Sequence, residues 1–192
     1  MPLVLLDRDG VINRDSDDYI RGPADWEPIP GSIEAIAALS KSGYQLAVVT
    51  NQSGLSRGYF GLDELEAIHA ELCRQVEEQG GCLAGIFYCP HSPDQDCACR
   101  KPATGLLLAA EQALGMSAKG ALFIGDSLKD LQAARAHGCL PVLVRTGKGE
   151  ATLVSLQGAH VDLENADQVA VFDDLAAVAR AIIDGELIPG MS

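Results

Sequence analysis

Positive charge is scarce in this chain: 14 Lys and Arg stand against 27 Asp and Glu, a net charge of −13 over 192 residues. A nucleic-acid partner needs a basic face, so that class is excluded. Long apolar runs are missing too. Nothing approaches the ~20 residues that cross a bilayer, which removes a membrane partner. Before Asp7 there is only Leu3-Val4-Leu5-Leu6 with no basic segment ahead of it, so no export signal is read and the cytoplasm is the expected compartment. The apolar fraction of 47% and charged fraction of 21% are ordinary for globular chains, against disorder, collagen or a coiled coil. The length fits one domain over residues 1–192 that buries roughly 70% of its unfolded surface. Six cysteines without an export signal point to metal ligation or burial rather than disulfides. A chain this acidic binds an anion only where cations gather or a metal sits.

The punctuation is α/β. Short, unalternating apolar runs at Leu3–Leu6, Gln45–Val49, Leu83–Cys89, Ala121–Ile124 and Pro141–Val144 read as strands covered on both faces. Helical patterns lie between them at Ser32–Ser42, Leu62–Gln79, Thr104–Leu114 and Leu128–His137, each followed by glycine. A last unit runs from Val169–Phe172 through Asp173, a good N-cap, into a helix over Asp174–Asp184. This order predicts a doubly wound, mostly parallel sheet with helices on both faces. Gly147–Asn165 is the least patterned stretch and reads as a mobile or edge segment.

Polar clusters follow four of these strands, where open α/β sheets bind ligands. Asp7-Arg8-Asp9-Gly10 follows the first, Thr50-Asn51-Gln52-Ser53 the second, Arg100-Lys101 lies beyond the third, and Gly125-Asp126-Ser127 follows the fourth. Two carboxylates two residues apart in a partly dry crevice need a cation between them. Asp126 is a candidate third carboxylate, and three hard oxygen donors suit Mg²⁺. Taken alone, Asp7-x-Asp9-Gly10 is equally readable as a turn. A second cluster, Cys89-x-His91 and then Cys97-x-Cys99, offers donors for tetrahedral Zn²⁺, four protein ligands leaving no open position and hence a structural site. The alternative is incidental thiols or a disulfide. Cys73, Cys82 and Cys139 read as small buried hydrophobes, and His69 as a packed or surface residue.

The joint pattern of Asp7 and Asp9, Thr50, Lys101, and Gly125-Asp126 with Asp130 resembles the haloacid dehalogenase superfamily over roughly residues 3–144. The resemblance implies that Asp7 is a nucleophile forming an aspartyl-phosphate and that Asp9 is the acid and base. It further implies Mg²⁺ held by Asp7, the main-chain carbonyl of Asp9, and Asp126, with Thr50 and Lys101 steadying the phosphoryl oxygens. Asp130 is left with two roles, the metal's water shell or the orientation of Lys101. Within the superfamily the zinc-type loop with Arg100-Lys101-Pro102 is similar to the heptose bisphosphate phosphatase group, with the histidinol-phosphatase group as rival. Ser53, with Arg57-Gly58 after it, favours the former, since a second phosphate wants arginine where an amine wants a carboxylate.

A sugar bisphosphate is thus the expected small-molecule partner. By the same resemblance its contacts fall on Asp15, Asp18, Tyr19, Asn51, Gln52, Ser53, Arg100 and Lys101; Arg57 is added on charge grounds. The 40 residues between Asp9 and Thr50 and the 50 between Thr50 and Lys101 leave no room for a cap domain. An open site and a monomer are the expectation. The reading from another class is a non-catalytic module that binds a phosphorylated sugar.

Overall fold

Leu3–Leu6 (β1), Gln45–Asn51 (β2), Gly85–Cys89 (β3), Leu122–Gly125 (β4), Leu140–Val144 (β5) and Ala170–Phe172 (β6) form one six-stranded sheet in the order β3-β2-β1-β4-β5-β6. All five pairings are parallel. The structure is a computed structural model describing residues 2–158 and 162–190. The helices are Ser32–Lys41 (α1), Leu62–Glu78 (α2), Gly105–Leu114 (α3), Leu128–His137 (α4), Gly149–Leu156 (α5) and Leu175–Ile183 (α6).

Successive strand residues point to opposite faces, and each face of β1 has its own layer. Val4 and Leu6 pack with Ile36 and Leu39 of α1, Ile68 and Leu72 of α2, and Val178 and Ile182 of α6. Leu3 and Leu5 pack with Leu106 and Leu107 of α3 and Ala133 and Ala134 of α4. Both faces are therefore dry, as the unalternating run requires. At the edge, β3 is only half-buried over Gly85–Tyr88. Gly43 takes the left-handed conformation (φ +89°) just after α1, as its position promised.

Three sequence expectations shift. Asp174, not Asp173, caps α6, accepting a hydrogen bond from the Ala177 amide at 2.8 Å. The stretch at 147–165, expected to be mobile or an edge, contains α5; residues 159–161 lie outside the described part. This helix is hard to read because it buries only Gly149 and Thr152. Leu153 and Leu156 pack partly against Leu131 and Leu143, while Val154 is exposed, so no apolar stripe forms. Cys82 is exposed beside Ser40 and Cys73 is half-buried; only Cys139 of the three is buried. Between β1 and β2 lie one irregular loop and α1, and between β2 and β3 a short loop and α2. Among the described residues neither interval holds a second folded unit.

Candidate active site

The strand order reverses between β1 and β4, and these strands pair side by side. Asp7 leaves β1 with its amide still bonded to the Ile124 carbonyl at 2.9 Å, so the ladder fixes the carboxylate's origin. Asp126 leaves β4 next door. Together with Asp130, one turn into α4, they offer carboxylate oxygens within 4.8 Å of one another. Asp9, expected among the Mg²⁺ ligands, is not in this cluster; its carboxylate is taken up by Arg8, Asn13 and Gln52. Two glycines permit the closeness. A Cβ on Gly10 (φ +82°) would stand 2.0 Å from the Asp126 carboxylate, and one on Gly125 2.2 Å from Asp130.

Lys101 supplies the cation this crowd lacks. Its ammonium is 2% exposed and lies 2.9 Å from Asp7 and 2.6 Å from Asp130, while donating to the Val49 carbonyl at 2.8 Å. Burial works against its charge, but Asp130 and Asp7 outweigh that and raise its pKa. One cation among three acids is not enough. Burial, helped by Asp130, pushes the Asp7 carboxyl up to about 7. Burial and the neighbouring Asp7 push Asp126 up to about 8. A divalent cation is the group that would reverse both shifts, and hard oxygen donors in this number suit Mg²⁺. Of Asp130's two expected roles, the ion pair with Lys101 is the one seen.

Asp9 lives in the opposite environment. Arg8 donates to it from Nε at 3.1 Å and Nη2 at 2.9 Å, Asn13 from Nδ2 at 2.9 Å, and Gln52 from Nε2 at 2.8 Å. Burial opposes its charge, yet the Arg8 guanidinium and these donors hold its pKa below the usual carboxylate range. Arg8, a fully buried cation, was missed by sequence reasoning, although its place between two acids could have flagged it. His69 of α2 completes the group, its Nε2 3.3 Å from Arg8 Nη1. Burial and the Arg8 charge bring His69 down to about 4.

Asp7, Asp9, Lys101, Asp126 and Asp130 line a cavity of about 540 Å³, together with Asp15, Tyr19, Thr50, Asn51, Ser53, Arg57, Arg100 and Lys148. Asp18 is the exception among the expected contacts: it is exposed and its carbonyl accepts from Arg21. Asn51 lines the cavity, but its amide is engaged. Oδ1 accepts from the Lys101 amide at 3.0 Å and Nδ2 donates to the Lys101 carbonyl at 3.2 Å, a clamp on the lysine's backbone. Gln52 joins Asp9, Thr50 Oγ1 and Arg8. Tyr19 and Tyr59 pack with their rings tilted by 51° and centres 4.9 Å apart, joining the loop after β1 to the loop after β2.

The loop between β5 and α5 forms the back of the site, again unanticipated. Thr146 Oγ1 donates to the Gly10 carbonyl at 2.6 Å, the Lys148 amide to Asp126 Oδ2 at 2.8 Å, and Thr152 Oγ1 to the Asp126 carbonyl at 2.8 Å. Lys148 Nζ pairs with Asp15 at 2.8 Å.

Beside the cavity, Cys89, His91, Cys97 and Cys99 converge as their spacing predicted, their ligand atoms also within 4.8 Å of one another. Cys89 and Cys97 Sγ are 3.8 Å apart, and His91 Nδ1 is 3.2 Å from Cys99 Sγ. No cysteine among the described residues is in a disulfide. Burial, with Cys99 against it, pushes the Cys89 thiol up to about 12, a cost that a soft divalent cation removes. The donor set fits a metal. Arg100, donating to the His91 carbonyl at 3.1 Å, ties this loop to the cavity.

A parallel sheet in this order, with a nucleophile-type carboxylate at its switch point and a buried lysine beside it, defines a hydrolase of the haloacid dehalogenase class. The family described as haloacid dehalogenase-like hydrolase matches residues 4–66, and the HAD-hydrolase-like family residues 98–178. The chain is 53% identical over 183 residues to the D-glycero-beta-D-manno-heptose-1,7-bisphosphate 7-phosphatase of Pseudomonas putida, covering 95% of this chain and 100% of that one. The same protein of Pseudomonas aeruginosa is 54% identical, with 94% and 97% covered. The crystal structure of D,D-heptose 1,7-bisphosphate phosphatase from B. bronchiseptica, complexed with magnesium and phosphate, has a TM-score of 0.89 at 44% identity, covering 96% of this chain and 99% of that one. The chain belongs to the heptose-1,7-bisphosphate 7-phosphatase family.

Proposed function

We propose that the chain removes the 7-phosphate of D-glycero-D-manno-heptose 1,7-bisphosphate, as a Mg²⁺-dependent phosphomonoesterase working through an aspartyl-phosphate. The observation that carries the mechanism is the buried Lys101 ammonium held between Asp7 and Asp130 with Asp126 alongside. Asp7 Oδ attacks phosphorus in line, forming the acyl-phosphate bond as the phosphorus–O7 bond breaks. Asp9 gives its proton to the leaving alkoxide, then takes one from the water that hydrolyses the aspartyl-phosphate to free Asp7 and inorganic phosphate. The clamp of Arg8, Asn13 and Gln52 favours the ionised form that the second step uses, so the proton for the first step is taken up by Asp9 as the substrate binds. Lys101 and Thr50 face the phosphoryl oxygens, Lys101 with its backbone fixed by Asn51. Mg²⁺, held by Asp7, the Asp9 carbonyl and Asp126, supplies the charge that lets these acids and a phosphate share one pocket.

Zn²⁺ on Cys89, His91, Cys97 and Cys99 is structural and braces Arg100 and Lys101. The sugar lies among Asp15, Tyr19, Gln52, Ser53, Arg57 and Arg100, where two arginines suit a substrate that keeps a second phosphate. The protein works as a single-domain, uncapped monomer in the cytoplasm. Comparing kcat/KM for the heptose bisphosphate and for histidinol phosphate tests the substrate. A preference for histidinol phosphate overturns it, and no phosphate release from either leaves only a binding module.

A further inference from the structure

Arg8 has five N–H donors and no acceptor, and it is fully buried. Its Nε and Nη2 are used on Asp9 and Gln52. The remaining nitrogen, Nη1, faces the half-buried ring of His69 at 3.3 Å, which comes from α2 61 positions away. Because a guanidinium only donates, His69 Nε2 must be the acceptor, and its hydrogen sits on Nδ1. An imidazolium here would set one N–H against another beside a like charge. The His69 ring is also steadied by Tyr88, 5.7 Å between centroids. Asp9 therefore depends on a relay: the histidine fixes the far end of the arginine, and the arginine's near edge fixes the carboxylate.

We propose that His69 is a positioning residue for Asp9, acting through Arg8. A leucine at 69 leaves Nη1 without an acceptor, and the guanidinium turns to find one, taking with it the bonds that aim Asp9. A glutamine keeps an acceptor oxygen at similar reach. The inference rests on the reading of Asp9 as the proton donor and acceptor, and the test separates the two.

The experiment is a cycle of His69→Leu and Asp9→Asn, alone and combined, with His69→Gln as the conservative control. Steady-state hydrolysis of the heptose bisphosphate and thermal melting are read for each. We expect His69→Leu to lower kcat about tenfold with KM within twofold, and His69→Gln to stay within about threefold of the parent. In the Asp9→Asn background the leucine should change nothing further, because its effect runs through the group already removed. Equal losses from His69→Leu in both backgrounds, or an unaltered kcat, overturn the inference while leaving Asp9's role intact. Full activity in Asp9→Asn overturns the acid–base reading itself. Should the double variant be too slow to measure, the two single variants decide: a glutamine no better than leucine, at equal melting temperature, is the overturning result.

Discussion

Among the described residues, two clusters of metal-type ligands stand on unlike foundations. Asp7 and Asp126 stand at the ends of neighbouring strands whose backbones are locked in the ladder and whose flanking residues are wholly buried. Of the four soft ligands only Cys89 ends a strand; His91, Cys97 and Cys99 ride on a polar loop. That loop is held by small contacts, such as Ser92 donating to Asp94 at 2.6 Å. The carboxylate site is thus assembled by the core before any ion arrives, and in the proposed mechanism an ion there serves the chemistry. In the thiolate loop only Cys89 belongs to the core, with Cys97 and Cys99 packed partly against it, so an ion bound there would help to hold the loop.

The sharpest way to break this contrast is to neutralise one carboxylate. Asp7→Asn is expected to abolish turnover, by more than about 10⁴-fold, because the proposed nucleophile is gone. It should not unfold the protein, since it removes one of three crowded acids. Steady-state assay and thermal melting check both halves, and an active, or inactive but destabilised, variant would count against the contrast. Lys101→Ala comes next, with an expected 10²–10³-fold loss concentrated in kcat, the usual cost of removing one donor to transition-state charge. A pure KM effect would show that Lys101 serves binding rather than the transition state.

Stripping the thiolate ion is the converse experiment. Zinc removal, or Cys99→Ser, should lower the melting temperature by roughly 5–10 °C and activity about tenfold while sparing Mg²⁺ binding. Metal analysis of the purified protein comes first, and a protein without stoichiometric zinc ends this side of the comparison.

How far was this contrast legible beforehand? The strands, their parallel winding, and the meeting of Asp7 with Asp126 and of Cys89 with His91, Cys97 and Cys99 follow from local pattern: an apolar run and then an acid, or Cys-x-His and Cys-x-Cys. What escaped depends on groups brought together only by the fold. His69 is 61 positions from Arg8, and nothing in α2's apolar stripe distinguishes it from an ordinary packed residue. Asn51 was expected on substrate; it lines the cavity, and its amide also clamps the Lys101 backbone, an engagement that only the fold reveals. The β5–α5 loop acts largely through main-chain N–H and hydroxyl groups, which leave no charge pattern to read. Its Gly147 (φ +58°) hints at the closeness, for a Cβ there would stand 2.2 Å from the Asp126 carboxylate.

The crowding of the carboxylates also sets a pH dependence. Burial and crowding raise Asp7 and Asp126 in the metal-free fold to about 7 and about 8, while the unfolded chain releases these protons near the ordinary carboxylate value of 3.8. Between roughly pH 4 and 8 the folded state binds more protons, so these groups make stability fall as pH rises. Mg²⁺ displaces those protons. Its increment in melting temperature should therefore grow from pH 5 to pH 8 in protein that keeps its zinc. A flat increment would mean that Asp7 and Asp126 do not share one ion.

The smallest expected effect tests the loop that pattern reading overlooked. Lys148 lines the cavity and carries a charge, which invites a substrate role. Its backbone amide, however, is what holds Asp126, and the side chain is 64% exposed and paired only with Asp15. Exposed ion pairs contribute little, typically under about 1 kcal/mol. Lys148→Ala keeps the amide and should change kcat by no more than about threefold, with a modest rise in KM. Lys148→Pro removes the amide hydrogen and should cost far more, through loss of Mg²⁺ affinity. Comparable losses from the two substitutions, read as kcat and as Mg²⁺ titration, would move the lysine's contribution from its main chain to its ammonium.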